Sequence, residues 1–153
     1  MSSTSTNLSG DFAIVEESVR RHAPDFAKFG FELKDVTIAG SPALQVFPMF
    51  HFANKKTEMS IDISFFPSRQ GRNGGFNVLL VRPGNRKLSL KEYLREHKRD
   101  ELADVFTYRE PTDVREFSES SLTKLCELMA TDLKPILDGK VWEETPIDWM
   151  GYK

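Results

Sequence analysis

A chain of 153 residues, 39% hydrophobic and 29% charged, has the size and make-up of one soluble globular domain, large enough to bury roughly two thirds of its unfolded surface. Its lone cysteine, Cys126, rules out an internal disulfide, and no apolar run approaches the roughly 20 residues of a membrane span. The net charge of −2 conceals a split: nine Lys/Arg against two Asp/Glu over residues 69–99, then five against thirteen over 100–150.

Residues 1–10 have neither a basic n-region nor an apolar h-region, so no signal peptide is expected. They read as a disordered tail on a cytoplasmic domain spanning 11–153. Asp11 caps a helix to about Arg21, with Phe12, Val15 and Val19 on one stripe. Pro24 opens a further turn carrying Phe26 and Phe29, and Gly30 stops it. Residues 31–38 form a first strand whose apolar parity changes between Leu33 and Val36, which requires a bulge. Residues 43–52 form a second strand.

The organising stretch is 57–83, two strand segments around a Gly-rich loop. Met59, Ile61, Ile63 and Phe65 alternate with Glu58, Ser60, Asp62 and Ser64, the period of a half-buried strand whose serines face solvent. Residues 76–81 are more continuously apolar and read as a central strand. Pairing Phe52 with Thr57 aligns the apolar faces of the second and third strands and sets His51 opposite Glu58. Pro48 removes one ladder donor, so its neighbour on that side is short or bulged.

Ser89 and Glu92 form a capping box for a helix from Leu90. A last long helix is expected after Phe117 and Ser118, with Leu122, Leu125, Met129, Leu133 and Ile136 on its inner stripe, a kink at Pro135 and a stop at Gly139. The order α-β-β-β-β-α-α predicts an α+β fold: a two-layer sandwich in which amphipathic helices cover an antiparallel meander sheet of four or slightly more strands.

The residues offer little catalytic chemistry. His22, His51 and His97 are scattered without metal-ligand spacing, Cys126 lies on an amphipathic helix as a small hydrophobe, and no nucleophile elbow occurs. A non-enzyme without metal or cofactor is expected. Arg69 and Arg72 in the loop 69–75 give an alternative reading, a cradle for a small molecule or anion, although exposed hairpin loops use glycine for conformation alone. Arg82, Arg86, Lys87, Lys91, Arg95, Lys98 and Arg99 suggest phosphate contact, but a pI near 5.9 and the lack of an aromatic-basic motif argue against nucleic acid.

The acidic part has its own pattern. Asp104, Glu110, Asp113, Glu116, Glu143, Glu144 and Asp148 are interleaved with Phe106, Tyr108, Trp142 and Trp149. Carboxylates beside aromatic anchors suit a surface that grips a basic partner, with Trp142 the one more suited to fastening the tail to the domain. Together with the layout of the chain, segment 138–153, which holds Trp142, Glu143, Glu144, Asp148, Trp149 and Tyr152, resembles bacterial immunity proteins of contact-dependent and type VI secreted toxins. The resemblance implies a non-enzymatic protein that binds and occludes a cognate toxin domain, often a basic nuclease. A strand edge leaves homodimerisation open.

Overall fold

The computed structural model describes residues 3–41, 45–66, 74–84, 86–108, 113–140 and 142. The period-two segments pair into an antiparallel sheet and the amphipathic segments pack on it, an α+β fold. In chain order the elements are α1 (Ser3–Ala27), β1 (Glu32–Ser41), β2 (Gln45–Ala53), β3 (Ser60–Phe66), β4 (Gly74–Arg82), β5 (Arg86–Ser89), α2 (Leu90–Glu96), α3 (Asp100–Asp104), β6 (Thr107–Tyr108), α4 (Val114–Ala130) and α5 (Lys134–Leu137). The sheet runs β1-β2-β3-β4-β5, with β6 beside the start of β4. The two strands beyond the four expected, β5 and β6, are four and two residues long, too short to display a period.

α1 begins at Ser3, inside the stretch expected as a disordered tail, and not at Asp11. Once the stripe of Val15, Val19 and Phe26 is docked, each added Ser or Thr costs only about 0.5 kcal/mol of propensity, so the helix extends backwards over a weak sequence. Pro24 stays inside α1, and the following turn ends at Gly30 with φ +89°. A Cβ on Gly30 would lie 2.7 Å from Asn54 Nδ2, so both conformation and space demand glycine.

The expected bulge is present as a register shift between Leu33 and Asp35. The β2–β3 register differs from expectation: Phe52 faces Ile61 and Phe50 faces Ile63, a slip of four residues that places His51 opposite Asp62 and not Glu58. An even slip keeps both apolar faces in place. Its cause is Asn54. The Asn54 Oδ1 accepts from Lys56 N (2.9 Å) and Thr57 N (3.2 Å), Nδ2 donates to Phe29 O (3.3 Å), and Glu58 turns back with φ +62°. The β2–β3 ladder stops at Met49 and Ser64, one residue short of Pro48, as the missing donor required, whereas β1–β2 continues to Ser41 and Gln45.

α2 starts at Leu90, but Ser89 ends β5 and makes no side-chain cap bond, while Glu92 pairs with Arg95 at 3.2 Å, so the capping box is not formed. α4 starts at Val114, earlier than expected, because Asp113 caps it by accepting from Glu116 N at 3.0 Å. Pro135 opens the separate α5 instead of kinking a continuous helix.

One cluster joins Val15, Val19 and Phe26 of α1 and Phe117, Leu122, Leu125 and Met129 of α4 to Phe50, Phe52, Ile61, Ile63, Phe65, Phe76, Val78 and Leu80 of the sheet. Its rings interlock, Phe26 on Phe52 at 4.6 Å and Phe76 on Phe117 at 5.2 Å. Alternate residues of β2–β4 point to the other face. There Phe47 and Phe66 pack ring to ring at 4.5 Å, and Ser64, expected to face solvent, is only 6% exposed.

Candidate protein-binding surface

Three of the acidic residues singled out in the sequence are described, and they fall around α3 and the start of α4. Asp104 ends α3 and is exposed; Asp113 and Glu116 are exposed at the first turn of α4. Ser121 Oγ donates to Val105 O at 2.8 Å and fixes the end of α3 against α4. At about 1.5 Å per residue, that contact lies about 8 Å along the helix from Glu116. Asp113 is committed to its cap. Asp104 and Glu116 make no ion pair among the described residues, and the C-terminal end of a helix disfavours a carboxylate such as Asp104. Glu110, Glu143, Glu144, Asp148 and Trp149 lie outside the described residues.

Some of the other acids are tied into the fold. Arg115 on α4 reaches Glu17 on α1 (3.2 Å), Glu17 contacts Arg21 (3.0 Å), and Arg21 reaches back to Glu119 (3.0 Å). The hydrogen bond and charge of Arg115 hold the Glu17 carboxyl below its ordinary value, and Arg115 is raised in return. Basic residues of 69–99 are similarly held: Arg95 by Glu92, and Arg99 by Asp132 at 2.6 Å. Arg82 stacks over Trp142, its guanidinium carbon 5.1 Å from the ring centroid.

The aromatic residues divide differently from the expectation. Phe106 and Tyr108 are core, Tyr108 packing on Phe117 at 5.3 Å, so neither is available as an anchor. Trp142 is half-buried against the core, in keeping with a fastening role. Arg69 and Arg72 of the alternative anion cradle lie outside the described residues. Gly75 has a packing reason of its own. With φ +137°, it lets Phe106 O approach to a point 2.0 Å from where a Cβ would stand, and Phe76 N donates to that same oxygen at 2.9 Å.

A cleft of about 320 Å³ opens between α1 and α4, lined by His22, Asp25, Lys28, Phe29, Thr123, Cys126 and Glu127. His22 Nδ1 donates to Ser18 O (2.9 Å), which leaves Nε2 to accept from the Thr123 hydroxyl (3.2 Å). Burial, with Asp25 adding to it, pushes the Cys126 thiol up to about 11, so it is held neutral and unreactive. His22 and Thr123 are 101 positions apart, and no sequence signal could have joined them. His51 Nδ1 is bound to Asp62 Oδ1 across β2–β3. Among the described residues no three His, Cys, Asp or Glu side chains are grouped to hold a metal ion, and no helix is long and apolar enough to cross a membrane. Comparison of the chain with protein-family models, curated proteins and solved structures gives no match.

Proposed function

We propose that this chain is a protein-binding domain of the immunity type, a cytoplasmic, non-enzymatic protein that occludes a cognate toxin domain carrying a basic surface. The observation that supports the reading is the sorting of the acids. Glu17, Glu119 and Asp132 are paired within the fold, while Asp104 at the end of α3 and Glu116 in the first turn of α4 are exposed and make no ion pair among the described residues. Asp104 sits at the C-terminal end of α3, where a carboxylate contributes nothing to the helix. Exposed acids of this kind raise the encounter rate with a cation-rich partner. The test is association kinetics with the partner captured from the native cell, across a range of ionic strength. Reversing Asp104 and Glu116 to Lys slows association by about tenfold at low salt and flattens its salt dependence. Association at the wild-type rate at low salt would overturn the reading.

A further inference from the structure

We propose that two copies of this chain pair through β1, antiparallel about a two-fold axis at Thr37, into a weak dimer. β1 stands at the end of the sheet order, and its outer side has no strand partner among the described residues. Sheet edges are commonly blocked by bulges and charges. Here both devices sit in the first half of β1: the shift between Leu33 and Asp35, and the charged residues Glu32, Lys34 and Asp35. The second half carries no charge, and its Ile38 is the exposed large hydrophobic among the described residues, at 61%.

The hydrogen-bond phase of this edge follows from Pro48, which faces Ile38 across β1–β2. The missing donor of Pro48 falls on the β3 side, where the ladder stops. Residues opposite each other in a non-hydrogen-bonded pair direct their backbone groups outward on both sides. Ile38 therefore turns its N–H and C=O to the free edge, and Val36 and Gly40, two residues away on either side, do the same. With Thr37 on the axis, Val36 exchanges backbone bonds with Ile38 of the partner subunit, and Ile38 with Val36 of the partner subunit. This sets the exposed isoleucine beside an aliphatic neighbour twice, with Thr37 against Thr37 of the partner subunit.

Charge favours antiparallel over parallel pairing. Lys34 and Asp35 fall opposite the neutral Gly40 and Ala39 of the partner subunit, whereas parallel pairing would set each charge beside its own copy. So short a ladder buries far less than the roughly 1,200 Å² of a standard interface, which implies a dissociation constant of about 10–1,000 µM. The dimer is independent of the acidic surface around α4.

Sedimentation equilibrium of the full chain from about 10 µM to about 1 mM, the span such a small interface calls for, tests the pairing. The wild-type weight-average mass rises towards that of a dimer, and Ile38→Lys stays monomeric with an unchanged melting temperature. In a Cys126→Ser background, Thr37→Cys forms a disulfide-linked dimer under mild oxidation and Asp35→Cys does not. A wild-type chain monomeric at the highest concentration, whatever foreign strand binds its edge, overturns the proposal. So does a dimer that survives Ile38→Lys, or a crosslink that forms as readily at Asp35 as at Thr37.

Discussion

Ile61 and Ile63 are sealed between α1, α4 and the neighbouring strands, so truncating either to Ala leaves a cavity and costs about 2–4 kcal/mol in urea unfolding. Ser60, half-exposed on the opposite face, tolerates Ala within about 0.5 kcal/mol. Ser18 and Ser118 are fully buried on α1 and α4, and neither hydroxyl has a hydrogen-bond partner among the described residues. Replacing either with Ala removes a desolvated polar atom, and stability stays level or rises by about 1 kcal/mol. A loss comparable to that at Ile61 would mean that the hydroxyls are satisfied. Cys126, with its thiol raised to about 11, alkylates about a hundredfold more slowly than a peptide cysteine at neutral pH, and the rate climbs as pH approaches that value. Mass-spectrometric labelling with iodoacetamide reads this directly. The inward isoleucines were legible because period two assigns parity. Whether the second face is also shielded is not encoded in parity, which is why the burial of Ser64 was missed.

Turns rather than strands carried most of what could not be read. The apolar pattern of β2 and β3 was correct to the face, yet four residues out in register, because one side chain, Asn54, builds the turn between them while also holding the end of α1. Alternation cannot distinguish registers that differ by an even step. Asn54→Ala removes its three hydrogen bonds and lowers stability by about 2 kcal/mol, measured by denaturant titration. α4 starts ahead of Phe117 and Ser118 because Asp113, in a stretch without a clear period, caps it through the backbone N–H of Glu116; Asp113→Ala costs about 1 kcal/mol. Gly75, at the end of the Gly-rich stretch, allows a crossing with the chain at Phe106, a contact 31 positions away in sequence that no local pattern shows. The candidate surface was legible only as a composition. Which acids remain unpaired depends on α1 and α4 lying side by side, and Phe106 and Tyr108 are core because β6 joins β4.

Charge on the folded chain is sorted by neighbours rather than by sequence segment. The Glu17 carboxyl is lowered by Arg115, so the folded chain binds fewer protons there than the unfolded one. Its contribution is present at neutral pH and fades as pH falls through the ordinary carboxylate range towards the folded value. A Glu17→Gln chain accordingly shows a shallower loss of melting temperature on acidification. Glu119 and Asp104 make the sharper comparison because both are acids of the C-terminal half. Glu119 lies 3.0 Å from Arg21, whereas Asp104, at the C-terminal end of α3, makes no ion pair among the described residues. Glu119→Lys places a cation beside Arg21 and lowers the melting temperature by about 2–4 °C at low salt. About 0.5 M salt removes much of that difference, since the group is partly exposed. Asp104→Lys replaces a carboxylate with a cation where the helix dipole favours one, so its melting temperature is equal to or slightly above wild type. The same substitution slows association with a basic partner, so stability and binding move in opposite directions at Asp104 and not at Glu119. Thermal melts at two salt concentrations need no partner and give the first half of the comparison. A loss at Asp104 as large as that at Glu119 would show that its carboxylate serves the fold, and the acidic surface would lose its central residue.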